Sequence, residues 1–314
     1  ATSSQGLALM HEMLYIASGL RCPIVMAVVN RALSAPINIH CDHSDMMGSR
    51  DCGWIQIFCE NVQEAYDWTI QAFKLSEDLD VLLPVAVNLD GFTISHAMED
   101  VRVLGDGEVE GFLPTRKIKY KMDPDNPMTF GALVPPDYYF EVKRQQEEAM
   151  RVAREKYRSA VKEYASLSGR PYDYFHKFMV EDADVALICM GSTAGIARVV
   201  ARKLRGEGEK VGVLKPWLFR PFPAKELLEA LENVKALVVL DRACSFGAPC
   251  APLCGDVIAS LFKEERLLPV LNGIYGLGGR EITPGEVEEL FNLGLKAART
   301  GKLEEKIKFV GVRE

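Results

Sequence analysis

Two stretches of the chain, Pro23 to Val29 and Val81 to Leu89, are apolar almost without interruption. Runs of that kind read as parallel strands covered on both faces, because a strand with one wet face alternates. Between them, Asn61 to Leu75 places its apolar residues at helical spacing, and a helix between two such strands is a βαβ unit with a right-handed crossover. Ahead of the first strand, the cap-like cluster Thr2-Ser3-Ser4-Gln5-Gly6 leads into Leu7 to Ala17, a helix apolar nearly all round that expects burial on most sides. Entering on a helix and then a strand, the chain is expected to join an α/β repeat midway, with Ala1 a truncated start.

From Val101 to Pro136 the pattern changes to prolines, lysines and short polar stretches, which predicts a linker crossing a surface. A long charged helix follows from about Tyr138 to Ser168, with acids and bases three or four apart at Glu147, Glu148, Arg151, Arg154, Glu155 and Arg158. It reads as a brace between domains with a solvated face. Strands are then expected at Asp184 to Met190, Val211 to Lys215, Ala236 to Leu240 and Leu268 to Leu271. The helices among them are Ile196 to Gly206, Ala224 to Leu231 and Ala251 to Phe262, so a second parallel α/β domain closes the chain. The expected division is 1–114, a linker with its long helix over 115–180, and 181–314.

Composition narrows the classes of function. The chain has 314 residues, 48% of them apolar, enough for two cores. Its 37 basic and 44 acidic residues leave a net charge of −7, against nucleic acid as the main partner, which calls for clustered Lys and Arg. No apolar run reaches the roughly 18 residues a bilayer span needs and no secretory signal opens the chain, so a cytoplasmic protein without a membrane partner is expected.

The candidate chemistry gathers at strand ends. Arg31 follows the first apolar run, and ligands of open α/β sheets collect outside the carboxyl ends of their strands. A guanidinium delivered there can hold a small carboxylate with two parallel hydrogen bonds, or it can pair with Asp42 or Asp45 to fix the loop. Asp90 and His96 follow the second run and belong on the same rim, Asp90 being either a turn residue beside Gly91 or a catalytic group. The turn Gly191-Ser192-Thr193-Ala194-Gly195 opens a helix and could hold an anion, but it lacks the dinucleotide fingerprint and the P-loop lysine, which favours a tight packing turn. The eight cysteines are scattered with no Cys-x-x-Cys pair, which argues for reduced, buried thiols and against an iron–sulfur site in this chain. His40 and His43 have a spacing that suits neither a helical pair nor a zinc finger, and no metal site is expected.

Ordered motifs over nearly the whole chain carry a resemblance. They are Thr2-Ser3-Ser4-Gln5-Gly6, Asn30-Arg31-Ala32-Leu33-Ser34-Ala35-Pro36, Asp42-His43-Ser44-Asp45, Gly53-Trp54-Ile55-Gln56, Glu60-Asn61-Val62-Gln63-Glu64-Ala65 and Leu89-Asp90-Gly91-Phe92. In the second half, Leu218-Phe219-Arg220-Pro221-Phe222-Pro223 and Tyr275-Gly276-Leu277-Gly278-Gly279-Arg280 continue the series. Together they resemble the alpha subunit of 2-oxoacid:ferredoxin oxidoreductases, most nearly those acting on pyruvate.

The resemblance implies a thiamine-diphosphate pyrimidine-binding-like domain followed by a transketolase C-terminal-like domain. It also implies oxidative decarboxylation: thiamine diphosphate attacks the ketone, carbon dioxide leaves, coenzyme A takes the acyl group, and electrons pass singly through iron–sulfur clusters to ferredoxin. Arg31 matches the arginine that holds the substrate carboxylate, with Asn30, Ser34, Asn38, Asp42, His43 and Asp90 as a possible site rim. The family's activating glutamate and substrate-contacting threonine lie upstream of Ala1, and no catalytic residue is assigned to this chain. Thiamine diphosphate is shared with a beta subunit, and Mg2+ and the iron–sulfur clusters sit on partner subunits. Beta, gamma and delta subunits are therefore expected, and the chain alone should be inactive. Ser34 and Ala35 leave a small, uncharged wall that suits pyruvate, with 2-oxoisovalerate and oxalate as alternatives. A non-catalytic scaffold subunit is the alternative of another class; a transketolase-like enzyme would need phosphate-binding arginines and histidines, and only five histidines are present. Truncating Trp54 is expected to weaken packing.

Overall fold

The computed structural model describes residues 1–313. Its first half runs α1 (Gln5–Leu9), α2 (His11–Gly19), β1 (Val25–Asn30), α3 (Ser44–Met47), β2 (Ile55–Cys59), α4 (Val62–Glu77), β3 (Val85–Asp90), α5 (Asp106–Phe112) and α6 (Pro136–Ser168). The second half continues with β4 (Phe175–Phe178), β5 (Val185–Cys189), α7 (Thr193–Gly206), β6 (Val211–Pro216), β7 (Leu218–Arg220) and α8 (Ala224–Ala230). It closes with β8 (Ala236–Asp241), α9 (Pro252–Lys263), β9 (Val270–Ile274), α10 (Pro284–Thr300) and β10 (Ile307–Phe309).

Two sheets result, ordered β1-β3-β2-β7 and β10-β9-β8-β5-β6-β4. The expected parallel pairing of the two apolar runs is present, Val25 facing Val85 through Asn30 facing Asp90. Each sheet also carries one antiparallel edge strand that the apolar pattern did not show: β4 beside β6, and β7 beside β2. β7 lies in the second half of the chain yet completes the first sheet, so the two halves are interleaved. β2 also escaped the sequence reading, because five residues between a glycine-bearing turn and a helix give too short a period to register.

Four expectations need correction. β1 is an edge strand that alternates between buried and half-buried residues, and its outer side takes only a single parallel bridge from Thr2 to Val28. Its apolar run therefore reflects one covered face and one partly covered face. The helix expected over Leu7 to Ala17 is broken at Met10 into α1 and α2; Leu7 and Leu14 are buried in the core and Met10 and Ala17 pack against it half-buried, while Leu9, Met13 and Ile16 are exposed at 90%, 52% and 42%. Apolar all round thus meant two faces with different neighbours, one of them not covered by this chain. The surface linker of 101–136 contains the short helix α5, whose Phe112 is buried edge-on to Tyr164 of α6. The strand expected over Val81 to Leu89 starts only at Val85, because Val81 and Leu82 close a turn on Asp78 and Pro84 has no N–H to give.

α6 touches both halves, as a brace should. It is 33 residues long, about 50 Å. Ala149, Ala153, Tyr157, Ala160 and Tyr164 form its buried stripe, and Trp68 of α4 stacks on Tyr157 with ring centroids 5.2 Å apart. On the other side Arg154 and Arg158 both reach Glu226 of α8. Asp67, fully buried, ties α4 to the end of α6 and the segment after it by accepting from the Tyr164 hydroxyl at 2.6 Å, the Tyr172 hydroxyl at 2.5 Å and both Nε and Nη2 of Arg170 at 2.7 Å.

Trp54 plays a comparable part at the start of β2. Its indole N–H donates to the Leu14 carbonyl at 2.8 Å and its ring is buried, so it pins α2 against the sheet. Trp54→Phe loses that bond and part of the ring volume, and should cost about 1–2 kcal/mol of unfolding free energy. Urea unfolding with an unchanged midpoint would refute the assignment.

Candidate functional site

The carboxyl ends of the two sheets face each other, and the side chains of interest emerge between them. Asn30 ends β1 and Arg31 follows it, Asp90 ends β3, Gly191 and Ser192 follow β5, Asp241 ends β8 with Arg242 after it, and Tyr275 to Gly279 follow β9. Direct bonds join the two rims. The His43 N–H donates to the Arg242 carbonyl at 2.8 Å, the Gly278 N–H to Asp42 at 3.1 Å, and the Asn38 amide to the Gly278 carbonyl at 3.1 Å.

Asp90 is the centre of the layer behind this rim. Its carboxylate receives His43 Nε2 at 2.7 Å, Arg242 Nη1 at 3.0 Å, and the N–H and hydroxyl of Ser192 at 2.9 and 2.6 Å. Burial alone would raise its pKa, but the His43 and Arg242 partners and the Ser192 hydroxyl hold it well below the usual carboxylate range. Asp90 closes β3 and opens the following turn, its carbonyl accepting from the Ile94 N–H at 2.9 Å, while its carboxylate forms an internal ion pair between the sheets, beneath the rim. The turn at Gly191 does hold an anion, and that anion is Asp90: Gly191 adopts φ +67°, and a Cβ there would sit 2.7 Å from the carboxylate.

Cys41 Sγ, a His43 nitrogen and an Asp90 oxygen lie within 4.8 Å of one another. Burial first, and the Asp90 charge second, push the Cys41 thiol up, away from the thiolate a metal would need. Arg242 already supplies the positive charge that balances Asp90. The trio is thus one side of a protein ion-pair network. His40 and His43, for which no metal site was expected, diverge: His43 turns inward to Asp90, whereas His40 lies against Phe92, 4.9 Å between ring centroids, and Phe92 stacks on His96.

Around Arg31 the geometry separates the two readings left open by the sequence. Asp45 does bind Arg31, but through the backbone N–H at 3.0 Å. It also accepts from the Ser4 N–H at 3.0 Å, the Asn30 amide at 2.9 Å and the Met46 N–H at 2.7 Å. The guanidinium itself forms no ion pair among the described residues. Nη2 donates to Gln5 Oε1, and Nε is buried with no acceptor. A buried cationic donor left unpaired is costly unless a ligand completes it. Burial raises the pKa of Asp45, with Asn30 and the backbone N–H groups opposing the rise.

Ser34, Asn38 and Asp42 line a cleft of about 620 Å³ between the two halves, together with Leu33, Met47 and, across it, Cys244 to Phe246 and Leu277 to Gly278. Asn30, His43 and Asp90, expected on the rim, are instead buried beneath it: the Asn30 amide N–H groups go to Asp45 and Asn88 and His43 Nε2 to Asp90, while Asn30 Oδ1 and His43 Nδ1 have no partner among the described residues. Arg31 stands beside the cleft wall and is connected to it by Gln5, whose amide donates to Ser34 Oγ at 3.0 Å. Asp42 has both oxygens committed, one to the Ser44 N–H at 3.0 Å and the other to Gly278.

Sequence reading missed Asp241 and Arg242, gave Gln5 no role beyond its motif, and placed Ser192 only in a turn favoured as a packing turn. The logic that selects Arg31 after its strand selects Asp241-Arg242 after Ala236 to Leu240 equally well. Asp241 caps α9 by accepting from the Leu253 and Cys254 N–H groups at 2.7 and 3.1 Å, and burial pushes its pKa up to about 7.

Comparison with known proteins places this geometry among oxidoreductases. Residues 1–162 match the family described as pyruvate flavodoxin/ferredoxin oxidoreductase, thiamine-diphosphate-binding, and residues 183–287 match pyruvate:ferredoxin oxidoreductase core domain II. Pyruvate synthase subunit PorA of Thermotoga maritima is 48% identical over all of this chain and 79% of its own length. The same subunit of Methanothermobacter thermautotrophicus is 42% identical over the same shares, and ketoisovalerate oxidoreductase subunit VorA of Pyrococcus abyssi 39% over 98% of this chain and 78% of its own. A solved 2-oxoglutarate:ferredoxin oxidoreductase of Magnetococcus marinus, with 2-oxoglutarate, coenzyme A and succinyl-CoA bound, shares the fold. Its TM-score is 0.61 at 20% identity, over 93% of this chain and 52% of that one. A split-gene transketolase shares it at a TM-score of 0.51, over 94% of this chain and 75% of that one.

Proposed function

Because the chain belongs to the pyruvate flavodoxin/ferredoxin oxidoreductase family, as an alpha subunit of a 2-oxoacid:ferredoxin oxidoreductase, we propose that it holds the carboxylate of pyruvate during CoA-dependent oxidative decarboxylation and its reverse. The observation that carries this reading is the Arg31 guanidinium, unpaired with any acid among the described residues and with Nε lacking an acceptor.

The residues present fit part of the reaction centre. When bound, thiamine diphosphate supplies a nucleophilic carbon for the ketone and a sink for the electron pair that departing carbon dioxide leaves behind. Leu33, Ala35, Met47 and Leu277 offer apolar walls to an uncharged ring, and Arg31, joined to the cleft wall through Gln5, suits the acid end of the substrate. These walls offer the Mg2+ of a diphosphate a single acid among the described residues, Asp42, whose oxygens already accept from Ser44 and Gly278. That part of the site is assigned to a beta subunit, and iron–sulfur clusters and ferredoxin contacts to other partner subunits, so the chain alone is inactive. Its own contribution is positional and electrostatic: Arg31 orients the acid and offsets its charge, while Ser34 and Ala35 present a small, uncharged stretch of wall that suits a methyl ketone.

The test is to assemble the chain with its partner subunits and follow CoA-dependent reduction of a viologen dye with pyruvate, 2-oxoisovalerate and oxalate side by side. Highest kcat/KM with pyruvate is the expected result. Preference for 2-oxoisovalerate, the reading favoured by the VorA relative, would keep Arg31's role and overturn the argument from wall size. No turnover of any acid by the assembled, thiamine-loaded complex would favour a scaffold subunit.

A further inference from the structure

We propose that Gln5 is a positioning residue for Arg31 and a determinant of affinity for the substrate carboxylate; this rests on the reading of Arg31 given above. Both ends of the Gln5 amide are occupied in a way that fixes its orientation. Its oxygen accepts from Arg31 Nη2, and its nitrogen donates to Ser34 Oγ at 3.0 Å, so one side chain spans from the guanidinium to the cleft wall.

The backbone before Gln5 is built to deliver it. Ser4 has φ +47°, a left-handed conformation disfavoured for a residue with a Cβ. It is held there by its N–H on Asp45 at 3.0 Å and its hydroxyl on the Ala32 carbonyl at 2.5 Å. Asp45 thus fixes the backbone of Ser4 and of Arg31 with the same carboxylate, and the two side chains that meet, Gln5 and Arg31, project from residues whose positions it sets. Strain at a single residue that is overdetermined by its neighbours marks a conformation the site requires.

The choice of an amide has a chemical consequence. A glutamate at this position would orient the guanidinium equally well, but it would neutralise the cation and compete with the incoming acid for the same donors. A neutral acceptor fixes the planar fork and leaves its full charge for the substrate, and a fork already fixed loses less rotamer freedom when the ligand arrives.

In the assembled complex, Gln5→Glu should raise KM for pyruvate by at least about tenfold, equivalent to about 1.4 kcal/mol, with a much smaller change in kcat. Gln5→Met, which keeps the volume and loses both bonds, should raise KM by a smaller factor. A second readout is independent of turnover: oxamate, a non-reacting isostere of pyruvate, should raise the thermal midpoint of the parent complex, and Gln5→Glu should abolish that rise while the ligand-free midpoint stays near the parent's. If Arg31→Ala raises KM and Gln5→Glu does not, the role of Gln5 is overturned and that of Arg31 stands. If Arg31→Ala leaves KM and the oxamate response unchanged, the reading of Arg31 itself falls. Equal losses of kcat and ligand-free midpoint in both Gln5 variants, with KM unchanged, would make Gln5 a packing residue and also overturn the proposal.

Discussion

Replacing Asp90 with alanine should destabilise the protein by about 3–5 kcal/mol, the range for breaking a buried ion pair from one side. The magnitude follows from what is left behind. Arg242 is only 8% exposed and would keep its charge without a counter-ion, His43 would lose its Nε2 partner, and the Ser192 N–H at the start of α7 would have no acceptor. Asp90→Asn should cost less, because it preserves an acceptor and loses only the charge. The pH dependence follows from the direction of the shift. A carboxylate held below its ordinary value of roughly 3.9 contributes fully above that pH, and the contribution is lost as pH falls through the lower folded value. Asp90→Ala should therefore show a shallower loss of stability below about pH 4 than the parent. Urea unfolding at neutral pH and at successive acid pH values measures both effects; a loss under about 1 kcal/mol at neutral pH would sink the account.

Arg31→Ala should lower kcat/KM for pyruvate by the equivalent of 2–4 kcal/mol, roughly 30- to 900-fold, the cost of removing one partner of a desolvated charge pair. Where the guanidinium acts equally in ground and transition states, the loss falls on KM; any part that strengthens as carbon dioxide departs falls on kcat. Arg31→Lys keeps the charge but not the planar fork, and should recover only part of the loss. Steady-state kinetics on the assembled complex decide it, and an unchanged kcat/KM would remove Arg31 from the site.

The place of Arg31 just past β1 was legible because strand-end logic is local: an apolar run stops, a cation follows, and the carboxyl end of a parallel strand is where ligands gather. The same argument could not assign Asp90. Its decisive partners, Arg242 and Ser192, are 152 and 102 residues away in the chain, so the sequence exposed only the neighbouring glycine and suggested a turn. Similarly, the apolar character of Leu7 to Ala17 was visible, but apolar residues do not say which chain covers them, and Leu9, Met13, Tyr15 and Ile16 face outward here. β7 was invisible for a third reason. Three residues carry no period, and their role is set by the edge of β2 that they complete, about 160 residues earlier.

That last feature has a bearing on how the chain is made. During synthesis β2 emerges with one edge bare, and the strand that closes it follows only after about 160 further residues. At ribosomal speed the wait is on the order of ten seconds to half a minute, in which the nascent first sheet presents an open ladder of N–H and C=O groups to any other unfolded strand. Nascent chains should accordingly depend on chaperones that hold exposed strands, and a fragment ending at α6 should aggregate when expressed alone.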